Sequence, residues 1–278
     1  MTKPFTLALA QMLVEGGAKA QNLSRAEDRI GEAAALGASI VLLPEALDLG
    51  WTHPLARSEA EAVPGGEPCR RLRAAAQRHG VFVCAGLTER SGDKLFNAAV
   101  LIDPQGEILL HHRKIYELDF ALELYSRGDR LGVAETPFGR IGVMICADGF
   151  APGQVISRTL ALMGAELILS PCAWAVPADH DNTREPYGQL WLDNYGVVSR
   201  DCGVIIAGCS NVGLVLAGEW AGRQCIGCSL VIGASGQPIA RASYGVAAEE
   251  ILLVDLQIIR PSTIENCEPK DVTSLSRH

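Results

Sequence analysis

Apolar positions along this 278-residue chain follow two rhythms. Short runs of strand length alternate with longer stretches in which apolar residues recur every three to four positions. FTLALAQML (5–13) reads as a strand. NLSRAEDRIGEAAALGA (22–38) reads as a helix, with Leu23, Ala26, Ile30, Ala33 and Ala34 on one stripe and Gly37 as its stop. SIVLLP (39–44) shows no alternation and so reads as a strand buried on both faces. EPCRRLRAAAQRHG (67–80) is a second helix, ending in basic residues and Gly80. VFVCAGLTER, KLFNAAVLIDPQG and EILLHHRK then read as three strands, with Asp103-Pro104-Gln105-Gly106 as the turn between the last two.

The second half repeats the theme. RIGVMIC (140–146) is a strand, PGQVISRTLALMGA (152–165) a helix opened by Pro152, and ELILSP (166–171) a strand. REPYGQLWLDNYGVVSRD (184–201) reads as a helix and GVIIAGCSN (203–211) as a strand. Strand-like runs follow at 226–232, 237–241 and 249–255, the first two joined at Gly233–Gly236. No linker or composition shift interrupts the chain, so residues 1–260 are expected to form one domain, with 261–278 as a polar, aperiodic tail. Mixed βα and ββ units predict an α/β sandwich, two sheets inside and helices covering their outer faces.

Composition narrows the function classes. Hydrophobic residues make up 48% of the chain and mean hydropathy is +0.17, enough for a sizeable core. No apolar run reaches the ~18 residues of a membrane span, and the N-terminal TLALAQMLV, interrupted by Gln11, reads as a strand rather than a leader. A net charge of −8 argues against a nucleic-acid partner. The nine cysteines are scattered, several inside apolar runs, so a reducing cytoplasm is expected rather than a disulfide framework. Cys225 and Cys228 form a CxxC without a second ligand pair, and the motif leads into a strand, so neither a metal nor a redox centre is expected there.

Three of the apolar runs stop at a reactive side chain: Glu45, Lys114 and Cys146. A thiol to attack, a carboxylate to move protons and a cation to hold an oxyanion form a working set for acyl transfer. Each has a plainer alternative. Cys146 could be a core residue, but it ends its strand, Asp148 follows, and Pro152 opens a helix within six residues. Glu45 could be a solvated strand end, but it leaves a doubly buried strand behind Pro44. Lys114 sits in a basic run, His111-His112-Arg113-Lys114, yet adjacent strand residues point to opposite faces, so Lys114 can turn inward while Arg113 stays outside. The two histidines also leave open a Cys–His dyad. Ligands bind at the carboxyl edge of such sheets, which puts the three residues on one rim with Pro171–Trp174 and Asn211. Trp51, Cys172 and Trp174 are then candidate pocket walls, and Ala147 offers a backbone N–H beside the thiol.

LALAQM, NLSRAEDRIGEAAALGASIVLLPEA, FNAAVLIDPQGEILLHHRK, GRIGVMICAD, GAELILSPCAW and GCSLVIGASGQPIA occur in the order of successive blocks of a known family. By these the chain resembles the nitrilase, or carbon–nitrogen hydrolase, superfamily. The resemblance implies a four-layer α-β-β-α sandwich with two mixed sheets. It also implies Glu45 as general base, Lys114 as oxyanion stabiliser and Cys146 as nucleophile. Many members use a second glutamate, which in the amidase branch lies about nine residues after the lysine and shortly before a glycine; Glu123, ahead of Gly128, fits that spacing better than Glu117.

Two departures point to the substrate. Nitrilases usually carry Trp–Glu after the nucleophile, where this chain has Ala147-Asp148. Carbamoylases often place an arginine there, and residues 147–151 contain none, although Arg184 or Arg200 could serve as a clamp. The expected activity is hydrolysis of a small carboxamide through a Cys146 thioester, without metal or organic cofactor. An N-carbamoyl hydrolase and, less favoured, a nitrilase are the alternatives within this chemistry; a catalytically idle binding protein of the same fold is the alternative outside it. The resemblance also implies a homodimer or larger homo-oligomer, and neither nucleic acid nor membrane is expected as a partner.

Overall fold

Alternation in the first strand decides which way each layer faces. The structure, a computed structural model, describes residues 3–258. Leu7 and Leu9 point into one apolar layer while Ala8 and Ala10 point into another. Fifteen strands are present among the described residues. In chain order they are β1 (Phe5–Gln11), β2 (Ile40–Leu42), β3 (Phe82–Ser91), β4 (Lys94–Ile102), β5 (Ile108–Arg113), β6 (Val133–Thr136), β7 (Gly139–Val143) and β8 (Leu167–Cys172). They continue with β9 (Ala175–Val176), β10 (Ile205–Ser210), β11 (Val212–Leu214), β12 (Gln224–Ile226), β13 (Leu230–Ile232), β14 (Pro238–Arg241) and β15 (Glu250–Leu256). The helices are α1 (Lys19–Ala35), α2 (Ala56–Glu59), α3 (Glu67–His79), α4 (Val155–Leu162) and α5 (Gln189–Cys202).

Two six-stranded mixed sheets result, ordered β15-β1-β2-β3-β4-β5 and β14-β13-β10-β8-β7-β6. Their facing sides bury Leu9, Leu42, Leu101, Val143, Leu169 and Ala207 against one another. The outer side of the first sheet packs Val41, Leu43, Val83 and Val100 under Leu23, Ile30 and Leu72 of α1 and α3. The outer side of the second packs Ile168, Ile206 and Ile232 under Ile156, Leu160, Trp191 and Val198 of α4 and α5. This is the α-β-β-α order, and each fully buried aliphatic side chain in it contributes about 1.5–3 kcal/mol.

Boundaries differ from expectation where backbone conformation overrides pattern. The run at 226–232 is not one strand: Gly227 (φ 65°) and Cys228 (φ 62°) are both left-handed and break it into β12 and β13. The helix expected from Arg184 starts only at Gln189, after Pro186 and after Gly188 at φ 120°. A third sheet, β11-β12-β9, was not foreseen; its strands of two or three residues are too short to show a period. The β6 strand at the second sheet's edge was also missed. No helix among the described residues is long and apolar enough to cross a membrane. The expected tail at 261–278 lies outside the described residues.

Candidate active site

Glu45, Lys114 and Cys146 follow β2, β5 and β7, the first two fixed by backbone bonds to a neighbouring element. The Glu45 N–H donates to the Cys172 carbonyl at 3.1 Å. Beside it β3 runs so close that a Cβ on Gly86 would stand 2.5 Å from the Glu45 Cα, so only glycine fits. The Lys114 N–H donates to the Asn97 carbonyl at 2.8 Å, and its own carbonyl accepts from Gly128 N–H at 2.7 Å. A Cβ on Gly128 would fall 2.0 Å from the Arg113 carbonyl oxygen. Cys146 opens a 3-10 turn at φ 42°, a left-handed conformation that costs a non-glycine residue about 1–3 kcal/mol and that here aims its thiol away from the strand.

The charged atoms converge. Lys114 Nζ donates to Glu45 Oε1 at 2.8 Å, and Asn97 Nδ2 donates to the same oxygen at 2.6 Å. Glu117 Oε2 stands 3.5 Å from Lys114 Nζ, and neither Glu117 oxygen has a hydrogen-bond partner. The Glu45, Lys114 and Glu117 side chains are about 1–2% exposed. Burial opposes the Lys114 cation, but Glu117, Glu45 and Cys146 hold its pKa well above the ordinary lysine value. Burial pushes Glu117 up to about 7, against the pull of Lys114 and with the help of Glu45 and Asp148. Burial, a hydrogen bond with Cys172 and the charge of Glu45 push the Cys146 thiol well up, with Lys114 opposing. The resting site therefore holds a neutral thiol beside a Glu45–Lys114 ion pair. An acylating thiol must hand its proton to a base as it attacks.

Backbone donors lie next to the thiol. Cys146 N–H is taken by Ser170 Oγ at 3.1 Å, which also accepts from Tyr195 OH at 3.1 Å. The Ala147 N–H lies in the first turn of the 3-10 helix, where no preceding carbonyl is in helical register to receive it.

Asp148 ties the nucleophile turn to the lysine strand. Its Oδ2 accepts from Ile145 N–H at 2.9 Å and lies 2.8 Å from His112 Nε2; its Oδ1 accepts from Ile115 N–H at 3.1 Å and Tyr116 N–H at 2.8 Å. Sequence reasoning noticed Asp148 as a polar residue after the cysteine and as part of the departure from the nitrilase pattern, but not as a positioning residue. Asp148→Asn keeps the shape but leaves one oxygen for donors that used two, so buried N–H groups lose partners at ~1–3 kcal/mol each. We expect kcat to fall at least tenfold with KM little changed, together with a lower Tm. Steady-state kinetics and a thermal melt check this, and an unchanged kcat would remove Asp148 from the positioning of Cys146 and Lys114.

The other expectations sort by geometry. Glu123 is exposed at the end of the 119–123 turn, where its carbonyl, not its carboxylate, accepts from Arg57 at 2.8 Å. Asp148 catches Ile115 and Tyr116 at once and folds the chain back, so that Glu117, three residues after Lys114, and not Glu123, meets the lysine. Arg113 faces out as expected, with two bonds to Glu89 at 2.8 and 2.6 Å and its guanidinium over Phe96. Both histidines are engaged elsewhere, His111 with Glu89 and His112 with Asp148, so the Cys–His dyad has no geometric support. The Trp51 ring centre lies 5.5 Å from Lys114 Nζ and edges against Phe120 and Trp220. Cys172 is buried behind Cys146, its Sγ donating to the Ser170 carbonyl at 3.2 Å.

Trp174 is no pocket wall. Alternation turns Ala173 and Ala175 toward the cleft and sends the Trp174 ring under α5, stacked on Trp191 at 4.5 Å. Asn211 does reach the rim, lining the cleft with Trp51 and Cys225. Arg184 is exposed, and Arg200, about 60% exposed, lies 3.5 Å from Asp201, so neither borders this cleft. No group of three His, Cys, Asp or Glu side chains among the described residues could hold a metal.

Comparison with known proteins gives consistent matches. A family model described as carbon-nitrogen hydrolase matches residues 6–260. A nitrilase of Pyrococcus abyssi is 32% identical over 253 residues, covering 88% of this chain and 88% of that protein. An omega-amidase, NIT2, of Xenopus tropicalis is 35% identical over 181 residues, 61% of this chain, which spans 64% of that relative's length. Among solved structures, an amidase from Nesterenkonia sp. superposes with a TM-score of 0.76 at 22% identity, over 91% of this chain and 90% of that one. The last likeness speaks for the fold.

Proposed function

This chain belongs to the carbon–nitrogen hydrolase family, and from that premise we propose that it is an amidase, converting a small carboxamide to a carboxylic acid and ammonia through a thioester on Cys146. The observation that carries the reading is the buried contact of Glu45, Lys114 and Glu117 beside a thiol held on a left-handed turn.

In the proposed cycle Glu45 takes the Cys146 proton as sulfur attacks the amide carbon. Lys114 Nζ and the Ala147 N–H hold the oxyanion; one such donor is worth about 10²–10³ in rate. Glu117, with its oxygens unpartnered, accepts a hydrogen bond from the substrate amide nitrogen and keeps Lys114 aimed. The C–N bond then breaks, Glu45 protonates the departing nitrogen, and ammonia leaves. Water, deprotonated by Glu45, attacks the thioester, and the acid departs as sulfur regains its proton. Each step is a proton transfer or an addition at carbon, so the cycle uses this chain's own residues throughout.

Nitrile hydrolysis is the second reading, favoured by the Pyrococcus abyssi relative. A panel of carboxamides, N-carbamoyl amino acids and nitriles, scored by ammonia release, separates these readings. We expect the carboxamides to lead; faster nitriles or carbamoyl compounds would replace the amidase reading, and no release from any would revive the idle scaffold. The proposal places the enzyme in the cytoplasm as a homo-oligomer. Val155, Leu162 and Leu190, exposed on and beside α4 and α5, support a pairing face there.

A further inference from the structure

A small cleft, with a cavity volume of about 30 Å³, opens beside the catalytic group, and its lining carries no residue with a permanent charge. Val14, Trp51, Ala173, Leu216 and Cys225 give it apolar walls, with Asn211 as a neutral polar contact. It is joined to the chemistry at three points. Trp51 lies over Lys114, Cys225 feels the Glu45 carboxylate, and Ala173 follows Cys172, which meets the Cys146 thiol. His53, also on its wall, is pushed down by burial, which favours the neutral imidazole.

The surrounding cations are committed. Lys114 already faces two carboxylates. Arg113 is doubly bonded to Glu89 on the outside, and Arg57 is held by the Glu123 carbonyl. Arg223 stacks over Trp220 at 4.2 Å and does not line the cleft. A substrate carboxylate in this cleft would lose its hydration without gaining a cation, which is costly. Methylene and methyl groups would gain from contact with its walls.

Resting on the amidase reading, we propose that this cleft is the acyl subsite and that it takes a short, uncharged, apolar acyl group, rejecting amides that carry a second carboxylate. Each added methylene that the cleft covers should raise kcat/KM roughly fourfold. A terminal carboxylate should lower kcat/KM by at least about 100-fold relative to an isopropyl group of the same shape.

The test pairs 4-methylpentanamide with succinamate, which has a carboxylate in place of the isopropyl end. Wild-type kcat/KM is measured for both, and Cys146→Ala is titrated with both by calorimetry, which reads binding without turnover. The expected result is at least a 100-fold preference for 4-methylpentanamide in kcat/KM and tighter binding of it by the variant. Equal or better handling of succinamate overturns the proposal, and its loss in Arg223→Ala would assign the carboxylate to that arginine. Preferential binding of 4-methylpentanamide without wild-type turnover keeps the apolar subsite and removes the amidase reading. Binding of neither amide removes the subsite.

Discussion

Cys146→Ala should fold normally and lose turnover by roughly 10⁴-fold or more. Alanine has the same Cβ as cysteine, so the left-handed φ of 42° is no more strained than before. The deleted sulfur packs at the junction of the inner core and the layer under α5, at a cost of about 1 kcal/mol. Without the thiol, Glu45 and Lys114 can still bind an amide and polarise it, but nothing adds to its carbon. Cys146→Ser should remain at least roughly 10³-fold slow, since a hydroxyl in this buried position is harder to ionise than a thiol. Kinetics on the best amide, beside a thermal melt that shows the fold retained, check both. A few per cent of activity in either variant contradicts the thioester.

The second large effect separates two glutamates. Glu117→Gln should lower kcat by about 10²-fold, around 3 kcal/mol of barrier, whereas Glu123→Gln should stay within twofold of wild type. Glutamine preserves shape at Glu117 but removes one of the two carboxylates that face Lys114 and offers the substrate nitrogen a weaker acceptor. The same variant has a signature in stability. Burial raises the Glu117 carboxyl in the folded protein to about 7, above its ordinary value of 4.5, so the native state binds the proton more tightly than the unfolded chain. The resulting penalty is absent below about pH 4.5, grows as pH rises, and is complete above about 7, where it reaches roughly 3 kcal/mol. Glu117→Gln should therefore gain on wild type in Tm between pH 5 and pH 8. A crippled Glu123→Gln beside an active Glu117→Gln would reverse the assignment.

How far the site could be read from sequence depended on whether a residue's place follows from its own strand. Glu45, Lys114 and Cys146 each leave an apolar run at the carboxyl end, so the runs alone bring them to one rim. The opposed directions of Arg113 and Lys114 likewise follow from the two-residue period. Glu117 was ranked behind Glu123 because counting residues says nothing of the path between them, and here the Ile115 and Tyr116 N–H groups bonded to Asp148 determine that path. Gly86 and Gly128 give no periodic signal, since each is needed for one close backbone approach. Trp174 was misplaced although its alternation was legible; that it faces the helix layer depends on Trp191, which stacks on it from α5. Two inner sheets with helices outside were readable from the patterns of strands and helices, and the four-layer order from the family resemblance, but the three-stranded sheet beside the cleft was not, because its strands of two or three residues are too short to show a period.

The most direct measurement is the mass of the enzyme during turnover. Wild-type protein mixed with excess 4-methylpentanamide or another efficient amide is quenched in acid at intervals, weighed intact, and digested for mapping. The account predicts a species heavier by one acyl group less a hydrogen, with the added mass on the peptide containing Cys146 and released by mild hydroxylamine. Sustained ammonia release with no adduct at any quench time, or with the adduct on another cysteine, would contradict it.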